Sequence, residues 1–414
     1  MASGSGEGPG RSRPLPGFLA AFSHRSFRLL WSGAFVSSVG SWTQDVALNW
    51  IIHERFVDPR YLGYRSFAAD APLIAFMVLG GAAADRIDRR RILLTSQCLQ
   101  MAFAAALGLL HATGRLGVGP ILLFAFLTGL AQSQSAPTYQ AVLTTVVPPP
   151  QIPSAVALNS LQFNLSRTVG PVLAGLLLVY AGAGWCFTVN ALSFLAVIAA
   201  LWRIEIPSPR VGGQESLRQS LAAGFHHVGQ SPVLSLFMGL AAAGSLLSFP
   251  LLTYLPVIAG DVLQSGARGY SQLLSSFGLG AILGALATAQ RGKAPARGRA
   301  LLVGFVSYGL TSLAAVLVPW QPLAMGLLFV AGFSLVTAFS ILNSLMQEAT
   351  PDQFRGRVVS IYGLFFRGGM PVGSLLAGFL VKAFGAPLTL AAFSALLTAL
   401  FAGVYATSRR MREV

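Results

Sequence analysis

The sequence predicts an all-α integral membrane protein of about twelve transmembrane helices, built as two pseudo-symmetric six-helix bundles. Composition is the first reason. Of 414 residues, 54% are hydrophobic and 10% charged, whereas a soluble domain carries roughly 25% charged residues. Twenty-eight basic and 13 acidic side chains cannot clothe the polar exterior that a soluble chain of this length needs, so lipid is its solvent. The second reason is spacing: apolar runs of the length that spans ~30 Å of hydrocarbon, about 20 residues, recur between short polar or Gly/Pro breaks. The third is internal repetition. Arg167, Pro171 and Val172 match Arg367, Pro371 and Val372, each run following a loop that ends in Pro-x-Gln, at Pro149/Gln151 and at Pro351/Gln353.

Taken in order, residues 1–26 read as a disordered cytoplasmic tail, Gly/Ser/Pro/Arg-rich at its start, with no apolar core behind a basic segment and hence no cleavable signal peptide. The N-terminal bundle, 27–203, divides at its polar and Gly/Pro punctuation into helices at 27–53, 63–84, 91–112, 119–147, 153–181 and 184–203. The linker, 204–231, opens with Pro207, Pro209, Gly212 and Gly213. It then carries Leu217, Leu221 and Phe225 at helical spacing, which predicts a short helix on the cytoplasmic membrane surface. Its His226 and His227 point about 100° apart on a helix and form no metal site. The C-terminal bundle, 232–408, divides into helices at 233–260, 269–290, 298–318, 322–347, 355–384 and 387–407, and 409–414 form a cytoplasmic tail.

The net charge of +15 raises the possibility of nucleic acid, but the basic residues are scattered over short loops with no polar domain to hold a groove. The positive-inside rule accounts for them. With the N-terminus inside, twenty of the 28 lie on inside segments and six outside, Arg65 among the latter, leaving Arg167 and Arg367 within helices; both termini are therefore expected in the cytoplasm. Trp31, Trp50, Trp185, Trp202 and Trp320 fall at predicted helix ends, as an aromatic belt requires. Cys98 and Cys186 sit on different predicted helices, so no disulfide is expected.

After the second predicted helix stand Gly81, Asp85, Arg86, Asp88, Arg89, Arg90 and Arg91. This resembles the signature loop of the major facilitator superfamily, Gly-x-x-x-Asp-Arg/Lys-x-Gly-Arg-Arg/Lys, with Asp88 in place of the second glycine. The resemblance implies that fold, and a cytoplasmic latch made by Gly81, Asp85, Arg86 and Arg89 against the eleventh helix. In the second copy Thr288 replaces the acid, so the latch is expected to be asymmetric. In the fifth helix, Ser166, Gly170, Pro171, Ala174 and Gly175 resemble the superfamily's exporter motif, Gly-x-x-x-Gly-Pro-x-x-Gly-Gly. Proline bends a helix and glycine permits close contact, which points to Gly170, Pro171, Gly175 and Pro371 as hinges. The stretches 27–31, 42–50 and 159–167 are similar to the bacterial branch of the superfamily containing the enterobactin exporter and macrolide and multidrug efflux proteins.

Asp45, Asp70, Arg167 and Arg367 lie inside predicted helices. Each costs about 2.5–3.5 kcal/mol at a helix centre on insertion scales, so each should face the interior and find a partner. A carboxylate that alternates between a desolvated setting and a nearby arginine takes up and releases a proton, which makes Asp45 or Asp70 the candidate for proton coupling. Trp42, Gln44, Asp45 and Asn49 give the first helix a polar stripe suited to a cavity. The expected substrate site comprises Trp42, Gln44, Asn49, Gln132, Gln134, Tyr139, Asn164 and Arg167 from one half, and Asn343, Tyr362 and Arg367 from the other.

The expectation is a monomeric secondary transporter in the bacterial inner membrane, needing no cofactor. It would export a drug-like compound or secondary metabolite by alternating access in exchange for protons. The rivals are a dedicated exporter of a siderophore or other anionic metabolite and a lipid flippase. A non-transporting membrane sensor would need a soluble signalling domain. An enzyme would need a nucleophile and base or a metal-ligand set that the intramembrane polar residues do not compose.

Overall fold

The computed structural model describes residues 17–79, 88–206, 217–291, 296–408 and 411, and every regular element among them is helical. After a 3-10 segment at Gly17–Ser23 come α1 (Arg25–Arg55), α2 (Arg60–Leu79), α3 (Arg89–Ala112), α4 (Val118–Thr145), α5 (Ile152–Tyr180) and α6 (Ala183–Arg203). Then follow α7 (Leu217–Gln230), α8 (Pro232–Val257), α9 (Gly266–Arg291), α10 (Arg297–Leu317), α11 (Gln321–Glu348), α12 (Arg355–Phe384) and α13 (Ala386–Thr407). Each lies where the apolar spacing puts a helix, and α7 is the one that the linker periodicity predicts.

Nine of the described helices are long and apolar enough to cross a membrane: α3, α5, α6 and α8 to α13. The other three long helices are those whose apolar character is diluted. Asp45 and Glu54 interrupt α1, Arg60, Arg65 and Asp70 interrupt α2, and Gln132 to Ser135 interrupt α4. Trp185, Trp202 and Trp320 stand exposed at helix ends, as belt residues should. Trp31 and Trp50 turn inward instead: Trp31 donates to the Leu158 carbonyl at 2.9 Å, and Trp50 stacks on Tyr270 with centroids 6.3 Å apart.

Local chemistry sets the helix ends. Asp88, which the signature loop would fill with glycine, accepts a hydrogen bond from the Arg90 amide at 2.8 Å and so caps α3, satisfying one of its orphan donors. Gly182 and Gly385 turn the chain between α5 and α6 and between α12 and α13, with φ of 87° and 83° and ψ of 164° and 158°. This backbone region is open essentially to glycine alone, and the same device stands at equivalent points of the repeat.

The packing repeats as well. α1 contacts α5 and α6, α3 contacts α4 and α6, and α2 contacts α4; α8 contacts α12 and α13, α10 contacts α11 and α13, and α9 contacts α11. The seams between these two sets are α2 with α12 and α5 with α9. Small residues let backbones meet there: a Cβ on Gly63 would lie 2.7 Å from the Ser374 carbonyl, one on Gly175 2.7 Å from Ser271 Cβ, and one on Gly278 2.6 Å from Thr168 Oγ1.

The two sets are also pinned at the end bearing the α1–α2 loop. Asp58 in that loop meets Arg60 at 2.6 Å and Lys382 of α12 at 2.7 Å. His53 of α1 meets Asp261, in the π-helical turn after α8, at 3.5 Å. Asn49 donates to the Tyr270 hydroxyl at 3.4 Å. At the opposite end a cavity of about 430 Å³ opens beside Ser340, Asn343, Ser344, Gln347, Glu348 and Arg355.

The hydrogen bond from Arg60 holds the Asp58 carboxyl well below the usual carboxylate range, helped by Lys382 and opposed by burial. The folded-state value lies below the unfolded one, so this cluster's contribution is complete above about pH 4. It is lost only as the pH falls through the depressed value. Spin labels at Val57 and Phe384 are therefore expected to report an unchanged separation from neutral down to mildly acidic pH, and a broader, longer one in Asp58→Asn. Packing makes a separate prediction. On α12, a Cβ at Gly373 would lie 2.0 Å from the Leu246 carbonyl, whereas one at Gly239 meets nothing within 4 Å. Gly373→Ala should cost about 1–3 kcal/mol by overpacking and Gly239→Ala nothing, read by thermal denaturation in detergent.

Candidate functional site

The stripe on α1 divides by helical geometry, because successive residues point about 100° apart. Trp42, Asp45 and Asn49 share a face. Gln44 lies on another, buried, and accepts from Asn190 of α6 at 2.9 Å; it ties α1 to α6 and stands apart from the other three.

Asp45 forms a hydrogen-bonded ion pair with Arg65 of α2. Arg65 also donates to the Asn49 side-chain carbonyl at 2.9 Å, and Asn49 in turn reaches Tyr270 on α9. A chain of polar contacts thus runs from α2 through α1 across to α9. The charge count puts Arg65 outside the membrane, although the predicted second helix, 63–84, already contains it. The helix begins at Arg60, which places Arg65 well within it.

Asp70 lies five residues further along α2, half-buried, with no hydrogen bond or ion pair to any described residue. It feels Arg367 of α12 and Arg65 as attractive charges and Asp45 as a repulsive one. Two carboxylates and two guanidiniums therefore share the α1–α2–α12 region, one pair in contact and one held only at a distance. The neighbouring backbone packs closely on α4: a Cβ on Gly129 would lie 2.0 Å from the carbonyl of Ala69.

Arg167 is the odd charge. Its guanidinium carbon lies 5.7 Å from the ring of Trp42 and 5.1 Å from that of Phe277 on α9, and its Nε is buried without a partner. Although Arg367 is its counterpart in the repeat, Arg367 is exposed and acts on Asp70.

The remaining expected residues are dispersed. Gln132 is exposed and donates to Gln100 of α3 at 3.3 Å, and Gln134 is half-buried one turn before Thr138. Tyr139 packs against the apolar core formed with Val142 and Leu143, its hydroxyl buried and unpartnered. Asn164 spends its amide on the Ser160 carbonyl of its own helix at 2.8 Å. Asn343 accepts from Gln347 at 2.8 Å and belongs to the cavity at the far end of α11. Tyr362 is buried and stacks on Phe366, 6.0 Å away.

Of the expected hinges, α5 runs unbroken through Pro171 and α12 through Pro371. Gly170 allows contact with α1, where its Cβ would lie 2.4 Å from that of Trp42, and Gly175 allows contact with α9. Of the expected latch, Gly81, Asp85 and Arg86 lie outside the described residues; Arg89 is the first residue of α3, half-buried. Tyr270 and Phe277 were missed. They lie seven apart on α9, a spacing that puts them on one helix face, but nothing in the periodicity says what that face meets. His, Cys, Asp and Glu form no group able to hold a metal among the described residues.

Comparison with known proteins agrees with this architecture. The multidrug efflux pump Tap of Mycolicibacterium fortuitum is 26% identical over 93% of this chain and 96% of its own length. The staphyloferrin A transporter of Staphylococcus aureus is 22% identical over 86% of the chain and 90% of its own length. The enterobactin exporter EntS of Shigella flexneri is 25% identical over 86% of the chain and 85% of its own length. Among solved structures, an inward-facing, unoccupied bacterial homolog of the human lysosomal transporter Spinster superposes with a TM-score of 0.73 at 15% identity, covering 94% of this chain and 97% of that one. The nucleoside transporter NupG gives 0.69 at 14% identity, covering 92% and 99%. The family model for transmembrane secretion effectors matches residues 17–414, and the chain accordingly belongs to that family of the major facilitator superfamily, as an integral membrane transport protein and not an enzyme.

Proposed function

We propose that this protein exports a small molecule across the bacterial plasma membrane by alternating access, in exchange for protons. In this reading twelve helices span the bilayer as two bundles, 27–203 and 232–408, with both termini cytoplasmic, and the chain works as a monomer. The observation that carries it is the charge cluster of Asp45, Arg65, Asp70 and Arg367 beside the α2–α12 seam. Asp45 is committed to Arg65, whereas Asp70 has no hydrogen-bond or ion-pair partner among the described residues and feels two guanidiniums and a second carboxylate. A conformational change that slides α12 along α2 alters the distance from Arg367 to Asp70. A receding cation favours the neutral acid and an approaching one the carboxylate. Asp70 is thus the proton carrier in this scheme, and Asp45 the structural anchor.

Closure at the α1–α2 loop end and opening at the other fit a carrier waiting to load from the side of its termini. The relatives named as an efflux pump and an exporter support the outward direction. Trp42, Asn49, Asn164 and Arg167 would face the cargo from the first bundle, and Arg367 from the second. The separate cavity beside Asn343 would lie on the entry route.

The test is proton movement in inverted membrane vesicles acidified by respiration, on addition of cationic or anionic dyes. Wild type should release lumenal protons when a transported dye is added. Asp70→Asn should bind the dye and lose at least about 90% of the release, in line with loss of a proton-transfer group. Asp45→Asn should instead lower thermal stability, because Arg65 is left buried without its counter-charge. Dye transport by wild type without proton release, or release unchanged in Asp70→Asn, would sink the coupling scheme.

A further inference from the structure

Among the described residues, Arg167 differs from Arg65 and Arg367 in having no counter-charge. Arg65 has Asp45 in contact, and Arg367 acts electrostatically on Asp70. Among the described residues no carboxylate lies at ion-pair distance from Arg167 and its guanidinium makes no hydrogen bond. Tyr308, the polar ring that acts on it electrostatically, donates its hydroxyl to the Ser248 carbonyl at 2.6 Å and is committed there. With Asp70 ionised, Arg367 and Arg65 balance Asp70 and Asp45, and the group keeps one uncompensated positive charge, on Arg167; protonation of Asp70 only adds to the positive excess.

What surrounds that charge is a recognisable kind of site. Trp42 of α1 and Phe277 of α9 present rings to the guanidinium at 5.7 and 5.1 Å. Such contacts hold its plane but supply only about 0.5–2 kcal/mol each, less than a desolvated cation needs. The planar fork stays available for bidentate pairing with a carboxylate or phosphate. Its position is on the α5–α9 seam, where Gly278 lies against Thr168 and the Arg167 carbonyl, so an occupant is felt by helices of both sets.

Resting on the reading of this protein as an exporter, we propose that the cargo is an organic anion whose carboxylate or phosphate pairs with Arg167 while its apolar body lies against Trp42 and Phe277. The guanidinium is the specificity-determining group: it attracts an anion, and it rejects a cationic cargo of the same shape by like charge.

The probes are 1-naphthoate, 1-naphthylmethylammonium and 1-naphthylmethanol, which share a ring system and differ in charge. Each is titrated calorimetrically into the purified full-length protein in phosphatidylcholine nanodiscs. Wild type should bind naphthoate at least about tenfold more tightly than the ammonium compound, with Arg167→Lys weaker and Arg167→Gln losing about tenfold or more. Binding of the alcohol should be unchanged. Absence of naphthoate binding by wild type, preference for the ammonium compound, or equal naphthoate affinity in wild type and Arg167→Gln overturns the proposal. Should Arg167→Gln fail to fold, unchanged affinity in Arg167→Lys, which keeps the charge but loses the fork, overturns it equally. Repeating the titration with phosphatidylglycerol in the nanodisc distinguishes the sources of the anion: competition that depends on Arg167 assigns the site to a lipid phosphate, and its absence assigns it to a soluble organic anion. Failure of proton coupling reads out separately. Arg167-dependent naphthoate binding without proton exchange keeps the anion site and removes the antiport scheme. Proton exchange driven by the cationic probe and indifferent to Arg167 does the reverse.

Discussion

An ionised side chain in hydrocarbon has to be compensated from within the protein, and the contact between Asp45 and Arg65 is where this chain meets that demand most completely. The pair is more than a local neutralisation. Arg65 extends to Asn49, and Asn49 to Tyr270, so the same interaction joins α1, α2 and α9. Arg65 is largely buried and the Asp45 side chain about half exposed, so the intact pair adds little net stability, whereas losing Asp45 leaves a mostly buried guanidinium without its counter-charge. The arrangement of these three helices is accordingly held more by the penalty for separating the charges than by their attraction.

Around that anchor the packing is made of small residues. Lipid tails are as apolar as leucine, so helices in a membrane associate by close contact and interhelical hydrogen bonds rather than by escape from water. Gly63, Gly175 and Gly278 bring the α2–α12 and α5–α9 seams together. Hydrogen bonds such as that from Tyr254 to the Ser374 carbonyl, 3.1 Å, add direction. Large side chains meet at the same seams, Tyr64 against Phe379 between α2 and α12 and Arg167 over Phe277 between α5 and α9. Polar contacts at the α1–α2 loop end, Asp58 with Lys382 and His53 with Asp261, join the two sets as well.

The internal repeat is faithful in backbone and broken in charge. Gly182 and Gly385 make the same turn, and α5 packs on α1 as α12 packs on α8. Yet Arg167 rests between aromatic rings while Arg367 is exposed toward Asp70. The first half contributes both carboxylates, and the second half contributes an arginine without an acid of its own. Two like halves thus present unlike charge environments on either side of the repeat.

The order and approximate positions of the described helices were legible in the sequence, because a spanning helix must satisfy its own backbone and bury a run of apolar side chains, and both are local requirements. Asp45, Asp70, Arg167 and Arg367 were legible as interior charges for the same reason. Their partners were not. Arg65, two residues into the expected second helix, reads as a topology charge until Asp45 meets it, and Phe277 is one apolar residue among many on α9 until Arg167 lies over it. Gln44 shares the polar stretch of α1 yet faces α6, and Asn343 and Tyr362 proved to belong to other neighbourhoods. Composition and periodicity therefore determined that the chain is a helical membrane protein with costly charges inside. Which charge meets which is a matter of helix rotation and of contacts between residues hundreds of positions apart, and only the tertiary structure decided it.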